Sequence, residues 1–148
     1  HFSLARDEAF LIPALKKILS INPKMRFMAS PWTGPQWLKS STRLVFERHL
    51  GQGWLQDSDL AMKTYARYLA KYVEAYHDKG VQIDYLTLQN EPMWSGCGSR
   101  PCMALFNQQA GRLAALLVPL LRAQNTGHTK LLAYDGTWNI ELKFYVEI

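Results

Sequence analysis

The sequence predicts an α/β fold: a fragment of a (β/α)8 TIM barrel, about three to four βα units long. Three observations point there. Stretches with helical spacing alternate with short apolar runs, in the order α-β-loop-α-β-loop-α-β-loop-(α), as a parallel sheet covered by helices requires. The long loops all follow strands and the returns from helix to strand are short, which suits a barrel whose loops build a site at one end. No GxGxxG follows any strand, so a dinucleotide-binding sheet has no local support. A complete barrel takes about 250 residues; 148 residues supply only part of one.

The elements follow in order. Leu4, Phe10, Leu11, Leu15, Ile18 and Leu19 fall largely at helical spacing, with Ser3 as N-cap and Asp7 and Glu8 in the first turn. Pro23 stops this helix. MRFMAS (25–30) is short and apolar-rich and reads as a strand. Residues 33–57 show no period and form a long loop, a length usually tied to function. Residues 58–80 give the clearest helix. Tyr65, Tyr68, Leu69, Tyr72, Val73 and Tyr76 make one stripe, Ser58 caps its start and Gly80 its end. IDYLTLQ (83–89) is apolar on both parities, as a strand covered on both faces should be. Residues 103–123 are helical, with Pro119 expected to kink or restart the helix. KLLAYD (130–135) is the third strand, and ELKFYVEI is expected to begin another helix.

Composition narrows the function classes. A chain that is 48% hydrophobic and 20% charged can bury a core and is not disordered. The longest apolar run, LAALLVPLL, is too short for a transmembrane helix, which needs about 20 residues. HFSLARDEAF does not read as a signal peptide. The missing initiator Met and the abrupt FYVEI ending are those expected of a segment cut from a longer chain. Net charge is +5, but Lys and Arg are spread along helical faces without a cluster, so no nucleic-acid partner is expected. Four scattered histidines show no HExxH spacing, and Ser30 and Ser95 lack a nucleophile elbow. Neither a metal site nor a cofactor is expected. Cys97 and Cys102, in CGSRPC, flank a turn that can bring their sulfurs together; the alternatives are a small loop disulfide, implying an oxidising compartment, and two free thiols.

The chemistry gathers after the strands. Ser30, Pro31, Trp32 and then Trp37 follow the first; Asn90, Glu91, Pro92 and Trp94 follow the second; Asp135 and Trp138 follow the third. Flat indoles suit the C–H faces of sugars, while carboxylates and amides suit their hydroxyls. Trp32, Trp94, Asp135 and Trp138 are therefore candidate substrate contacts. Glu91 ends a buried strand among aromatics, where desolvation should favour its protonated form and fit it as a general acid for a glycosidic oxygen. Asn90 is placed to hydrogen-bond a sugar 2-hydroxyl.

ASPWTGPQWLKSS (29–41), GQGWL (51–55), the tyrosine-rich helix and LTLQNEP (86–92) together resemble glycoside hydrolase family 30, the glucosylceramidase-like retaining β-glycosidases. NEP alone is shared with other families of that clan; the SPW…P.W.K block is more specific. The resemblance implies a TIM barrel with a β-sandwich side domain and two catalytic glutamates. Glu91 then matches the acid/base at the end of the fourth strand, Asn90 its amide partner and Trp32 a sugar-subsite aromatic. Residues 1–148 would be roughly strands 3 to 5 with their helices. The remaining strands, the β-sandwich and the nucleophile would lie outside this chain, so the segment alone is expected to be inactive. A β-linked glucoside, glucan or glycolipid is the implied substrate, and a secreted or lysosomal location the implied setting. The alternatives are an endo-acting β-1,6-glucanase or xylanase of the same family and a non-catalytic carbohydrate-binding barrel.

Overall fold

Pro13 divides the first helical stretch. It lacks an N–H to give the carbonyl four residues back, and its ring crowds that carbonyl, on Ala9. The computed structural model, which describes residues 2–40, 53–93 and 101–137, accordingly shows α1 (Ala5–Ala9), a break at Phe10 and α2 (Leu11–Ile21) where the spacing predicts one helix. The Ser3 hydroxyl accepts the Ala5 N–H at 3.1 Å, one residue ahead of the N-cap at Leu4. The further elements are β1 (Met28–Ala29), a 3-10 turn (Gln36–Leu38), α3 (Asp59–Asp78), β2 (Tyr85–Thr87), α4 (Asn107–Ala123) and β3 (Lys130–Leu132).

Helix α3 follows its sequence signals at both ends. The Ser58 hydroxyl accepts the Ala61 N–H at 3.2 Å, closing an orphan donor of the first turn. At the other end Gly80, with φ of 76°, turns the chain left-handed. Its N–H reaches the His77 carbonyl and the Val81 N–H the Tyr76 carbonyl, a Schellman closure that returns the chain toward β2. Pro119 does not interrupt α4. It lies on the exposed side of the helix, as does Ala115, the residue whose carbonyl it leaves without an N–H. Helix α4 begins four residues later than the spacing predicts, because Ala104 and Leu105 spend their backbone N–H groups on Gly53 and Pro92.

The strands form a parallel sheet in the order β1-β2-β3. Ala29, Leu86 and Leu131 are register partners and therefore share a face, the one covered by the helices. Leu86 and Leu88 meet the core built from Leu69, Val73, Leu113, Leu117 and Leu121 of α3 and α4. Thr87, of the opposite parity, is buried as well. All three strands are shorter than their apolar runs. Beyond Ala29, Thr87 and Leu132 the backbone leaves the ladder and bonds to loops. The helix expected to begin in ELKFYVEI (141–148) lies outside the described residues.

The tyrosine stripe packs as its spacing predicts. Tyr65 stacks on Tyr68 with ring centroids 6.3 Å apart, and the Tyr76 hydroxyl donates to Asp7 Oδ2 at 2.7 Å. Burial pushes all four phenols above their ordinary range, and the bond to Asp7 pushes Tyr76 further the same way. In the unfolded chain these groups ionise near pH 10. Between that pH and their higher folded values the unfolded state carries more charge and fewer protons, so stability is complete below about pH 10 and falls as pH rises past it. Tyr65 also buries a hydroxyl that has no partner among the described residues. Tyr65→Phe is expected to leave stability at pH 7 unchanged or raise it by about 1–3 kcal/mol, since an unmade hydrogen bond is removed. It should also flatten the alkaline decline. Urea unfolding from neutral to alkaline pH tests both, and an unaltered alkaline slope would count against this assignment.

Candidate active site

The ends of the three strands are tied together by backbone and hydroxyl hydrogen bonds. The Asn90 N–H donates to the Pro31 carbonyl at 2.9 Å, joining the loop after β2 to the loop after β1. The next residue turns the other way: the Glu91 N–H donates to the Asp135 carbonyl at 2.7 Å, joining the same loop to the one after β3. One peptide step thus bridges both neighbours. That step requires unusual backbone, and Glu91 has φ of 43°, the only positive value outside glycine among the described residues. A left-handed non-glycine costs about 1–3 kcal/mol and persists only where its surroundings hold it.

Side chains beneath this loop reinforce the ties. Gln89 is buried, and its amide nitrogen donates to the carbonyls of Trp32 at 2.9 Å and Asn90 at 3.2 Å. Two carbonyl partners fix which end of the amide is nitrogen. Its oxygen, Oε1, is buried without a partner among the described residues. Thr87, also buried, donates through Oγ1 to Ser30 Oγ at 2.8 Å, and Ser30 in turn donates to the Asp135 carboxylate. Gln89 and Thr87 were not expected as site residues, and Ser30 was weighed only as a nucleophile. The signal was present: polar side chains inside the apolar run LTLQ need partners if the run is buried.

A rim surrounds this centre. Lys39 pairs antiparallel with Leu55, and Trp54 parallel with Ala104. The Leu105 N–H then reaches the Pro92 carbonyl at 3.0 Å, which attaches the rim to the residue after Glu91. Lys39 is almost wholly buried, and its ammonium donates to the Cys102 carbonyl at 2.8 Å. Burial lowers its pKa from the ordinary lysine value, because the charged form has lost its water. Gln109 braces the same rim from α4, donating to the Leu55 carbonyl at 2.9 Å while accepting the Phe106 N–H at 3.1 Å.

The structure brings several sequence-predicted residues to one end of the sheet: Trp32, Asn90, Glu91 and Asp135. Trp32 is 42% exposed, so its indole has surface to offer, while Asn90, Glu91 and Asp135 are half-buried. Glu91 thus sits at a rim and not in the closed apolar setting that the end of a buried strand suggests. Asp135, expected as a sugar contact, uses its carboxylate on Ser30 and its carbonyl on Glu91. Trp94, Trp138 and Cys97 lie outside the described residues. Cys102 is not a free thiol. The described residues contain no cluster of three or more His, Cys, Asp or Glu side chains able to hold a metal.

The backbone at Glu91 yields a test that needs no substrate. At an ordinary position glycine is less stable than alanine by roughly 0.5–1 kcal/mol. At a left-handed position the order reverses. Glu91→Gly is therefore expected to be more stable than Glu91→Ala by about 1 kcal/mol. Thermal unfolding of the two variants side by side measures it, and an alanine variant at least as stable would remove the constrained backbone from the account.

The glycosyl hydrolase family 30 TIM-barrel domain matches residues 1–141. An endo-1,6-β-D-glucanase of Aspergillus fumigatus is 28% identical over 146 residues, covering 94% of this chain and 30% of that enzyme. The lysosomal acid glucosylceramidase of Mus musculus is 34% identical over 96 residues, covering 62% of this chain and 18% of that enzyme. Among solved structures, an endo-β-1,6-glucanase superposes with a TM-score of 0.80 at 26% identity, covering 98% of this chain and 32% of that one. The chain thus spans less than a third of the length of these relatives. With a parallel sheet, covering helices and a site at the strand ends, the chain is a portion of a (β/α)8 barrel and belongs to glycosyl hydrolase family 30.

Proposed function

We propose that this segment supplies the acid/base half of a β-glycosidase site, with Glu91 as general acid/base. The observation that carries the reading is the constrained backbone of Glu91 at the end of the middle strand, hydrogen-bonded across to the loop after β3, while its neighbour Asn90 is bonded to the loop after β1. Backbone strain of this kind collects at functional sites, because it holds one side chain where free rotation of the loop would not. The C-terminal ends of barrel strands are also where catalytic groups stand in this fold.

The chemistry follows from a carboxyl so placed. In its protonated form Glu91 gives a proton to the glycosidic oxygen, so that the leaving group departs as a neutral alcohol. With retention, a second carboxylate roughly 5–5.5 Å away takes the sugar as a glycosyl ester. Glu91, now ionised, then removes a proton from the water that hydrolyses the ester. The resemblance puts that second carboxylate outside this chain, together with the remaining strands and a β-sandwich domain. Asn90 is assigned to the sugar 2-hydroxyl and Trp32 to the ring face, with Trp94 and Trp138 as further indoles of the subsite. A β-glucosyl bond is the favoured target. It is supported by relatives named as glucosylceramidases and as endo-1,6-β-D-glucanases.

Coverage does not divide the glucan reading from the glucosylceramide one: the Aspergillus fumigatus and Trichoderma harzianum glucanases match 94% and 90% of this chain, and putative glucosylceramidases 1 and 2 of Caenorhabditis elegans match 91%. A secreted or lysosomal setting fits a Cys102 that is not a free thiol, because disulfides persist in oxidising compartments.

In the complete enzyme, Glu91→Gln is expected to slow a substrate with an alcohol leaving group by about 100-fold or more, and an activated aryl glucoside far less in the first step, because only the former needs a proton. Equal losses on both, or no loss on either, would refute the acid role, and binding without any turnover by the unaltered complete protein would favour a barrel that binds carbohydrate without cleaving it. Comparing a glucosylceramide, a β-1,6-glucan and a xylan as substrates of the same enzyme then assigns the natural bond.

A further inference from the structure

We infer that Asp135 is a positioning residue for Glu91, acting with Ser30 and Thr87, and does not contact the substrate; this rests on the acid/base reading of Glu91. Asp135 meets its surroundings at two points. Its carbonyl accepts the Glu91 N–H at 2.7 Å, and its carboxylate accepts the Ser30 hydroxyl. The Ser30 oxygen in turn accepts the Thr87 hydroxyl at 2.8 Å. Thr87 is on β2, four residues before Glu91, Ser30 directly follows β1 and Asp135 lies three residues beyond β3. The chain of hydroxyls therefore closes a loop: out along β2 to Glu91, across to Asp135, down its side chain to Ser30 and back to Thr87.

The closure has a physical purpose in the backbone of Glu91. A residue at φ of 43° relaxes toward the ordinary regions unless something holds the peptide before it in place. The Glu91 N–H bond to Asp135 is that hold, and it is only as firm as the Asp135 backbone. Asp135 lies beyond the last ladder pair, Thr87 with Leu132, so the sheet does not fix it. Its carboxylate on Ser30 does. A hydrogen bond to a charged acceptor is about twice as strong as a neutral one, which suits a carboxylate for this anchor. Thr87 is buried and supplies the far end from within the sheet. Loss of the anchor frees the loop after β3, then the Glu91 peptide, then the carboxyl at its tip.

The distinction from a sugar contact is measurable in the complete enzyme. Asp135→Ala is expected to lower kcat for a glucoside with an alcohol leaving group by about 10- to 100-fold, the loss typical of a slightly misplaced catalytic group, with KM within about two-fold. An activated aryl glucoside should lose less in its first step. Asp135→Asn keeps an oxygen that accepts from Ser30 and should recover most of the loss, and Ser30→Ala should repeat the alanine pattern more weakly. In a Glu91→Gln background, Asp135→Ala should add little, since the residue it acts through is already disabled. Circular dichroism and melting of each variant identify any that fail to fold, and Asp135→Asn, the mildest change, keeps the comparison available. A raised KM with kcat intact, or losses that multiply in the double variant, would overturn the positioning role while leaving Glu91 as the acid. Equal losses from Glu91→Gln on both substrates would instead overturn the acid reading itself.

Discussion

The structure turns on a single peptide step, Asn90 to Glu91, whose two N–H groups point to opposite neighbours. One donates to the loop after β1 and the other to the loop after β3. In a parallel sheet the strand ends have no hairpin to join them, so nothing in the ladder fixes how the following loops lie relative to one another. Here the loops are joined by hydrogen bonds made through one strained residue. The strain at Glu91 is tolerable because the peptides before Asn90 and before Glu91 are both held, and the hold is useful because the strained residue carries the carboxyl.

The rest of the molecule keeps that step in place. Helix α3 covers β2 through Leu69 and Val73 and returns the chain at Gly80 in a conformation that glycine adopts without cost. Helix α4 and the rim strands support the far side. Gln109 and Lys39, both buried polar residues, give their side-chain donors to carbonyls of the loops, so that long connections without regular structure still satisfy their backbone. Arg112 bridges Asp57 and Asp59 at the surface, where such pairs add little. The buried ties therefore matter more to the site than the exposed ones.

Much of this was legible in the residues and some was not. The stripe from Tyr65 to Tyr76, with Ser58 and Gly80 at its ends, defines α3 nearly to the residue, because cap, stripe and stop agree. Pro13 and Pro119 show where one-dimensional reading fails. Both sit inside helical patterns, yet the first coincides with a break and the second does not. Exposure does not separate them, since Ala9 and Pro13 are exposed just as Ala115 and Pro119 are. Asn90 and Glu91 were visible as polar residues ending an apolar run. Thr87 and Gln89 were not singled out, and the role of Ser30 was not, because a hydroxyl or amide next to a strand has many possible partners and sequence spacing does not choose among them.

The sequence by itself determined the kind of molecule: alternating helices and strands, long loops on one side of the sheet, and a carboxyl with an amide before it and a proline after it. These follow from periodicity, capping and turn chemistry, all local properties. Only the tertiary structure decided that Glu91 is left-handed and that Asp135 bonds to Glu91 through its carbonyl and to Ser30 through its carboxylate. Those facts depend on residues 30, 91 and 135 meeting across three strands. The register of a parallel sheet sets that meeting, and register is a product of packing.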